Sequence, residues 1–329
     1  MYKRFINAER RYRDMAKVFI DGSEGTTGLR IFERFESRDD IEILKIPRES
    51  RKDPKVIREF INESDITFLC LPDDAAREAA ELCDNETTVI IDASTAHRTE
   101  SGWAYGFPEL SEAHRQAIAE GKRIAVPGCY ASVFISIIYP LVKGGILPQD
   151  YPVSCFAVSG YSGGGKKLIA QYEDKERESK YSSARLYAWT QSHKHLKEMK
   201  KIPGLVREPL FSPLTTDYHS GMVVQVPLYR DLLTTRPSLE ELRAYFHDFY
   251  KGSRFVHIAE DSAIDDKGNV IFSSEMAGRD DMVIYIAGNE ERFVLASSFD
   301  NLGKGASGAA VQCMNIVLGI DEATGLNII

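Results

Sequence analysis

The sequence predicts an α/β protein in two parts: a Rossmann-type nucleotide domain built on a parallel sheet, followed by an α+β domain for substrate binding and dimerisation. Three observations carry this expectation. Short apolar runs alternate with helical stretches over the first 128 residues, as a parallel sheet with right-handed crossovers requires. The first run opens into a glycine turn, Gly22-Ser23-Glu24-Gly25-Thr26-Thr27-Gly28, at the head of a helical stretch. Beyond residue 150 many strands surround one long helix. That pattern implies an open sheet covered by helices or by a second subunit.

Composition bounds the function. A chain of 329 residues, 43% hydrophobic and 27% charged, suits about two soluble domains. A net charge of -8 argues against a general nucleic-acid binder. Five cysteines without paired spacing fit a reducing, cytoplasmic setting, and the absence of CxxC or HExxH gives a zinc site no support. No run reaches the roughly 18 to 20 apolar residues needed to cross a bilayer, so no membrane association is expected. Residues 1–14 are basic and polar without an apolar centre, and Glu9 and Asp14 count against an organellar leader. They are expected to be an extension ahead of the first strand.

In chain order, strands are expected at 17–21, 41–46, 65–71 and 87–92, with helices at 29–36, 54–62 and 74–83. Gly22, Gly25 and Gly28 let backbone approach a pyrophosphate seated on a helix N-terminus. The spacing is GxxGxxG rather than GxGxxG, and a purely structural turn is the alternative. After the second strand an NAD-preferring enzyme usually places an acid for the ribose hydroxyl. This chain has Arg48, Arg51 and Lys52 instead; they suit the 2′-phosphate of NADP, or are a solvated basic loop. A long loop follows the fourth strand and carries Ser94, His97 and Arg98, where Arg98 could clamp an anion bidentately.

The chain is organised around Val126-Pro127-Gly128-Cys129-Tyr130-Ala131. A strand at 123–126 ends at Pro127, which keeps Val126 extended, and a long apolar helix begins near Cys129. A cysteine in the first turn of a helix meets unpaired N–H groups and the favourable end of the dipole. Such a thiol suits covalent acyl chemistry, whereas Cys70 and Cys155 lie inside apolar strands.

Beyond the elbow, strands are expected at 151–159, 222–228, 253–258, 282–287 and 292–298, with helices at 239–250 and 309–318. The stretch 160–167, with Lys166, is a flexible glycine loop able to hold a phosphate, or a plain connector. A polar, helical segment is expected to follow it and reach His193-Lys194-His195-Leu196-Lys197-Glu198. Two histidines two apart share a face on a strand and diverge on a helix; the pattern does not choose. The domains are therefore expected at 15–128, with 301–329 packing back on it, and at 129–300, the catalytic, substrate-binding and oligomerisation part.

The elbow, Ser-Gly-Tyr-Ser-Gly-Gly-Gly-Lys-Lys, His-Lys-His-Leu-Lys-Glu and Asp-Asn-Leu-Gly-Lys-Gly-Ala-Ser-Gly occur here in that order. From Ala16 onward the chain resembles the N-acetyl-gamma-glutamyl-phosphate reductases of arginine biosynthesis, in their shorter type. Aspartate-semialdehyde and glyceraldehyde-3-phosphate dehydrogenases are the wider relatives. One departure stands out: Lys197 occupies the place of a proline in the longer type's motif.

The resemblance implies reduction of N-acetyl-L-glutamyl 5-phosphate to the 5-semialdehyde with NADPH, through a thioester on Cys129. It implies His195 as acid and base holding the thiolate as an ion pair, with Glu198 orienting it. For NADP it implies Gly22, Gly25, Thr26, Thr27, Gly28, Arg48, Arg51, Pro72, Ser159, Gly160, Gly163 and Asn301. For substrate it implies Ser94, Arg98, Lys166 and His193, and it implies a homodimer or homotetramer. The competing readings are a sister dehydrogenase for another acyl phosphate, such as aspartyl phosphate, and a non-catalytic NADP-sensing regulator.

Overall fold

Val18 and Phe19 in the first apolar run are fully buried, and they centre the strand β1 (Ala16–Asp21) in a six-stranded parallel sheet. The computed structural model describes residues 15–260 and 270–329; the extension expected at 1–14 lies outside them. The other strands are β2 (Ile41–Leu44), β3 (Ile66–Leu69), β4 (Val89–Asp92), β5 (Ala104–Tyr105) and β6 (Arg123–Ala125), in the order β2-β1-β3-β4-β6-β5. Beside β1 the order leaves in opposite directions toward β2 and β3. In such sheets ligands bind at the carboxyl ends of the strands around that switch point.

The helices of this half are α1 (Thr26–Phe35), α2 (Pro54–Glu63), α3 (Asp73–Glu81) and α4 (Glu112–Glu120). Pro54 starts α2, where a missing N–H costs nothing, and the Asp53 carboxylate accepts from the Lys55 amide at 2.9 Å. By contrast Gly25, the N-cap of α1, offers no side-chain cap. The first amides of α1 are thus left for another acceptor.

The elbow leads into α5 (Cys129–Lys143), which is apolar all round: Ala131, Val133, Phe134, Ile135, Ile137, Ile138 and Leu141 are fully buried. A helix of this kind has to run through a core. Pro140 lacks the N–H that would pair with the Ser136 carbonyl, and the Tyr250 hydroxyl donates to that carbonyl at 2.7 Å. The helix lies on a seven-stranded mixed sheet of β7 (Ser154–Gly160), β8 (Arg185–Leu186), β9 (Leu210–Thr216), β10 (Met222–Tyr229), β11 (Val256–Ile258), β12 (Met282–Gly288) and β13 (Arg292–Phe299). Its order is β11-β12-β13-β10-β7-β9-β8. Alternate residues of β7, β10 and β13 face the core, while Phe156, Tyr229 and Val294 stand exposed on the opposite face.

Three more helices belong to this half: α6 (Gly165–Glu173), α7 (Leu196–Lys201) and α8 (Leu239–Phe249). The last helix, α9 (Gly308–Leu318), buries Ala310, Val311 and Met314 in the core of the first sheet, beside Val18, Phe68 and Ile124.

Several expectations need correction. The stretch expected to be a loop at 160–167 is a 3-10 turn (Tyr161–Gly164) followed directly by α6; Gly165, with φ of +76°, makes the join that most residues would resist. The expected continuous polar helix stops at Glu173, and 174–195 is irregular apart from a 3-10 turn and the short β8. Strand β9 and helix α4 were not anticipated. Pro213 within β9 disguises it, since proline removes a ladder donor and argues against a strand.

Candidate active site

Cys129 is the first residue of α5, its N-cap is Gly128, and no side chain caps the helix. The same cleft, about 340 Å³ in volume, is lined by Cys129, His193 and His195, and reaches Gly25, Thr26 and Thr27 at the glycine turn. It runs across Cys70, Leu71, Pro72 and Asp73 after β3 and Ala93 and Ser94 after β4. The glycine turn and a thiol therefore share one groove over the carboxyl ends of the first sheet.

The elbow is set by a buried ion pair. Arg98 and Glu198 meet at 2.8 Å, with side chains only 8% and 2% exposed. Arg98 also donates to the Val126 carbonyl at 2.8 Å and the Ala93 carbonyl at 3.2 Å. The second oxygen of Glu198 accepts from the Tyr105 hydroxyl at 3.0 Å and from the Gly128 amide at 3.2 Å. A β-carbon at Gly128 would fall closer than 3 Å to Arg98, His195 Nε2 and Glu198. Glycine is required there because three side chains converge on its α-carbon.

The two histidines precede and cap α7. The ring of His195 is buried, its Nε2 faces the elbow, and its Nδ1 has no hydrogen-bond partner among the described residues. Glu198 was expected to orient His195, but its hydrogen bonds go to Arg98, Tyr105 and Gly128 instead. His193 Nδ1 accepts from the His195 amide at 3.2 Å. In the neutral ring the proton therefore sits on His193 Nε2. Its ring stands edge-on to those of Tyr130 and Phe211, and Tyr187 donates to the Tyr130 hydroxyl at 2.9 Å.

Burial dominates the titration of these groups. It pushes the Cys129 thiol up, against the Tyr130 amide and the charges of Arg98 and Lys194, which favour the thiolate. It pushes His195 well below the usual histidine value, helped by Arg98, His193 and Lys194. His193 is lowered to about 4 by burial, then by Lys194 and Arg98. Both shifts favour the uncharged forms and so work against the ion pair that the resemblance implied.

The remaining expected site residues fall into three groups. Gly163, Ser94 and Asn301 also line the cleft. Ser94 Oγ donates to Asp92 at 2.7 Å, and Asn301 is held by the Gly221 amide and the Ser162 hydroxyl, both at 2.9 Å. Gly22, Gly28, Ser159 and Gly160 do not line the cleft: a β-carbon at Gly28 would strike the Gly22 carbonyl, and one at Gly160 would strike the His219 carbonyl. Arg48, Arg51 and Lys166 gather around Glu24 at the outer end of the glycine turn. Sequence reasoning passed over Tyr105, Tyr187, Lys194 and Gly305; a β-carbon on Gly305 would come within about 3.0 Å of the Cys129 β-carbon.

A family model described as the NAD binding domain of semialdehyde dehydrogenases matches residues 45–119, and one described as their dimerisation domain matches 129–301. Two solved aspartate semialdehyde dehydrogenases share the fold: that of Francisella tularensis (TM-score 0.70, 15% identity, 92% of this chain and 100% of that one) and enzyme II of Vibrio cholerae (TM-score 0.69, 14% identity, 93% and 99%). The two family models, which together match most of the chain, place it in the semialdehyde dehydrogenase class. The N-acetyl-gamma-glutamyl-phosphate reductase of Brucella ovis is 45% identical over 310 residues, 92% of this chain and 99% of that protein. N-acetyl-gamma-glutamyl-phosphate reductase 2 of Nostoc sp. is 42% identical over 318 residues, 94% and 99%. The chain belongs to the N-acetyl-gamma-glutamyl-phosphate reductase family.

Glu198→Gln should keep the shape of the network while leaving the Arg98 charge buried and unpaired. Removing one partner of such a pair costs about 3–5 kcal/mol. A denaturant titration should show that loss in unfolding free energy, and a loss under 1 kcal/mol would mean that the pair does not hold the elbow.

Proposed function

We propose that the chain reduces N-acetyl-L-glutamyl 5-phosphate to N-acetyl-L-glutamate 5-semialdehyde and inorganic phosphate, with NADPH, in cytoplasmic arginine biosynthesis. The observation that carries this is the placement of Cys129 at a helix start in the cleft shared by His193, His195 and the glycine turn. The open first amides of α1 and the glycines beneath them fit a dinucleotide pyrophosphate. When bound, the dinucleotide supplies the hydride that reduces the acyl group.

The protein's own residues do the rest. Cys129 Sγ attacks the acyl carbon as His195 Nε2 takes the thiol proton, and the bond to phosphate breaks, leaving a thioester. Both groups are shifted toward their neutral forms, so on this reading the proton moves as the nucleophile attacks. After reduction the oxyanion left on the former acyl carbon re-forms the carbonyl as the carbon–sulfur bond breaks. The aldehyde leaves and Sγ recovers its proton from His195. His193 Nε2–H is a donor free to meet the substrate.

The dimerisation-domain match and the exposed Phe156, Tyr229 and Val294 support a homodimer or homotetramer built on the open face of the second sheet. Five unpaired cysteines support a reducing compartment. Among the described residues no helix is long and apolar enough to cross a membrane.

The direct test is phosphate-dependent NADP reduction with N-acetylglutamate semialdehyde, run against aspartate semialdehyde. Wild-type protein should favour the former and Cys129→Ser should be inactive; a preference for the latter would move the chain to the sister activity.

The histidines separate in a pH series. A base with a lowered pKa stays neutral to lower pH, so the acid limb of kcat/KM should lie below the ordinary value of 6.5. His195→Asn should lower kcat about a hundredfold or more and abolish that limb, while His193→Asn acts mainly on KM. The reverse result exchanges their roles.

Cofactor preference rests on Arg48 and Arg51. Their joint replacement by alanine should weaken NADPH binding at least tenfold more than NADH binding, since each charge-assisted bond contributes about 1.5–3 kcal/mol. Equal losses would remove the reading.

A further inference from the structure

Glu24 sits within the glycine turn, and its carboxylate is paired with the Arg51 guanidinium. Arg51 lies just beyond the 3-10 turn Arg48–Ser50 that follows β2, so the pair bridges the turn to the basic loop. The cluster is lopsided. Arg51, Arg48 and Lys166 all act on this one carboxylate and hold it below the usual carboxylate range, Arg51 most strongly. Arg51 Nε is buried and has no hydrogen-bond partner among the described residues, whereas the Glu24 side chain is 63% exposed. An exposed acid thus holds an arginine whose donors are only partly satisfied.

The glycine turn and the end of the second strand are the two segments that flank the adenosine ribose in this kind of fold. A ribose 2′-phosphate brings there the charge and acceptor oxygens that Glu24 now presents to Arg51. A ribose 2′-hydroxyl brings neither.

We propose that Glu24 is a specificity-determining residue. It occupies Arg51 in place of the 2′-phosphate, must leave when NADP binds, can stay when NAD binds, and so narrows the preference between them. The proposal rests on the reading of Arg48 and Arg51 as the 2′-phosphate holders. An exposed pair is weak, so its displacement is readily reversible, but each step of it opposes only the phosphorylated ligand.

The test uses the full chain and isothermal titration with adenosine 2′,5′-bisphosphate and 5′-AMP, which report the adenosine end without turnover. Glu24→Gln should bind the bisphosphate about three- to tenfold more tightly and leave 5′-AMP unchanged, with the gain shrinking as salt is raised. In an Arg51→Ala background the same substitution should give little gain. If Glu24→Gln leaves bisphosphate affinity unchanged or lowers it, Glu24 does not compete and the proposal fails. A full gain without Arg51 also overturns it, because direct repulsion would then be the cause. If Arg51→Ala alone binds both probes as the wild type does, the underlying reading of the loop fails instead. If Arg51→Ala loses the bisphosphate selectively while Glu24→Gln is silent, only the role of Glu24 is removed.

Discussion

The buried pair of Arg98 and Glu198 is the constraint on which the catalytic geometry depends. The two residues are 100 positions apart and come from the loop after β4 and from α7, so the pair fastens one half of the molecule to the other. Taking two charges out of water costs several kcal/mol per ion, and their attraction offsets this only when the remaining donors and acceptors are satisfied. Here they are: Arg98 has two backbone carbonyls, and Glu198 has Tyr105 and the Gly128 amide. The last contact makes the pair functional, because fixing the Gly128 amide fixes the start of α5 and with it Cys129.

The same pair shapes the electrostatics of the thiol. Arg98 alone would favour a thiolate, but Glu198 beside it acts in the opposite direction, and burial outweighs the charges that favour ionisation. The imidazole opposite is equally restrained, since the nearby cations Arg98 and Lys194 oppose its protonation. Among the described residues its Nδ1 has no acceptor to stabilise the imidazolium. Reactivity is therefore tied to the arrival of an acyl group, which converts the buried proton transfer into bond formation.

How much of this was legible in the sequence varied with distance along the chain. The parallel sheet was legible from alternating short runs, and the elbow from Pro127 and Gly128 beside a helix too apolar to be a surface one. The glycine turn was legible as well, because Gly22 needs its left-handed backbone (φ of +83°) and Gly28 packs on the Gly22 carbonyl. The segment 174–195 was not, since its polar residues carry no period and its fold depends on Tyr187 meeting Tyr130 and Arg177 meeting Asp217. The role of Glu198 was misread for the same reason. Spacing from His195 suggested a neighbour on a helix, but the carboxylate's partners lie 70 to 100 residues away and leave no local trace.

The return of the chain to the first sheet obeys a second buried charge. Between β13 and α9 the residues Gly303–Ser307 form a turn of π-helix, with the Ser307 amide donating to the Leu302 carbonyl at 3.1 Å. Such turns insert one extra residue and often mark functional sites. Lys304, 3% exposed, donates to Glu109 at 2.7 Å and lies 4.8 Å from the ring of Phe255. Gln312, on α9, donates to the same Glu109 oxygen at 2.7 Å. The very next residue, Gly305, is pressed between Phe299 and the Cys129 β-carbon. A lysine anchored in one direction and a glycine admitted in the other are thus two sides of one constraint. The ammonium's need for Glu109 fixes the turn, and the turn then leaves room for no side chain behind the nucleophile.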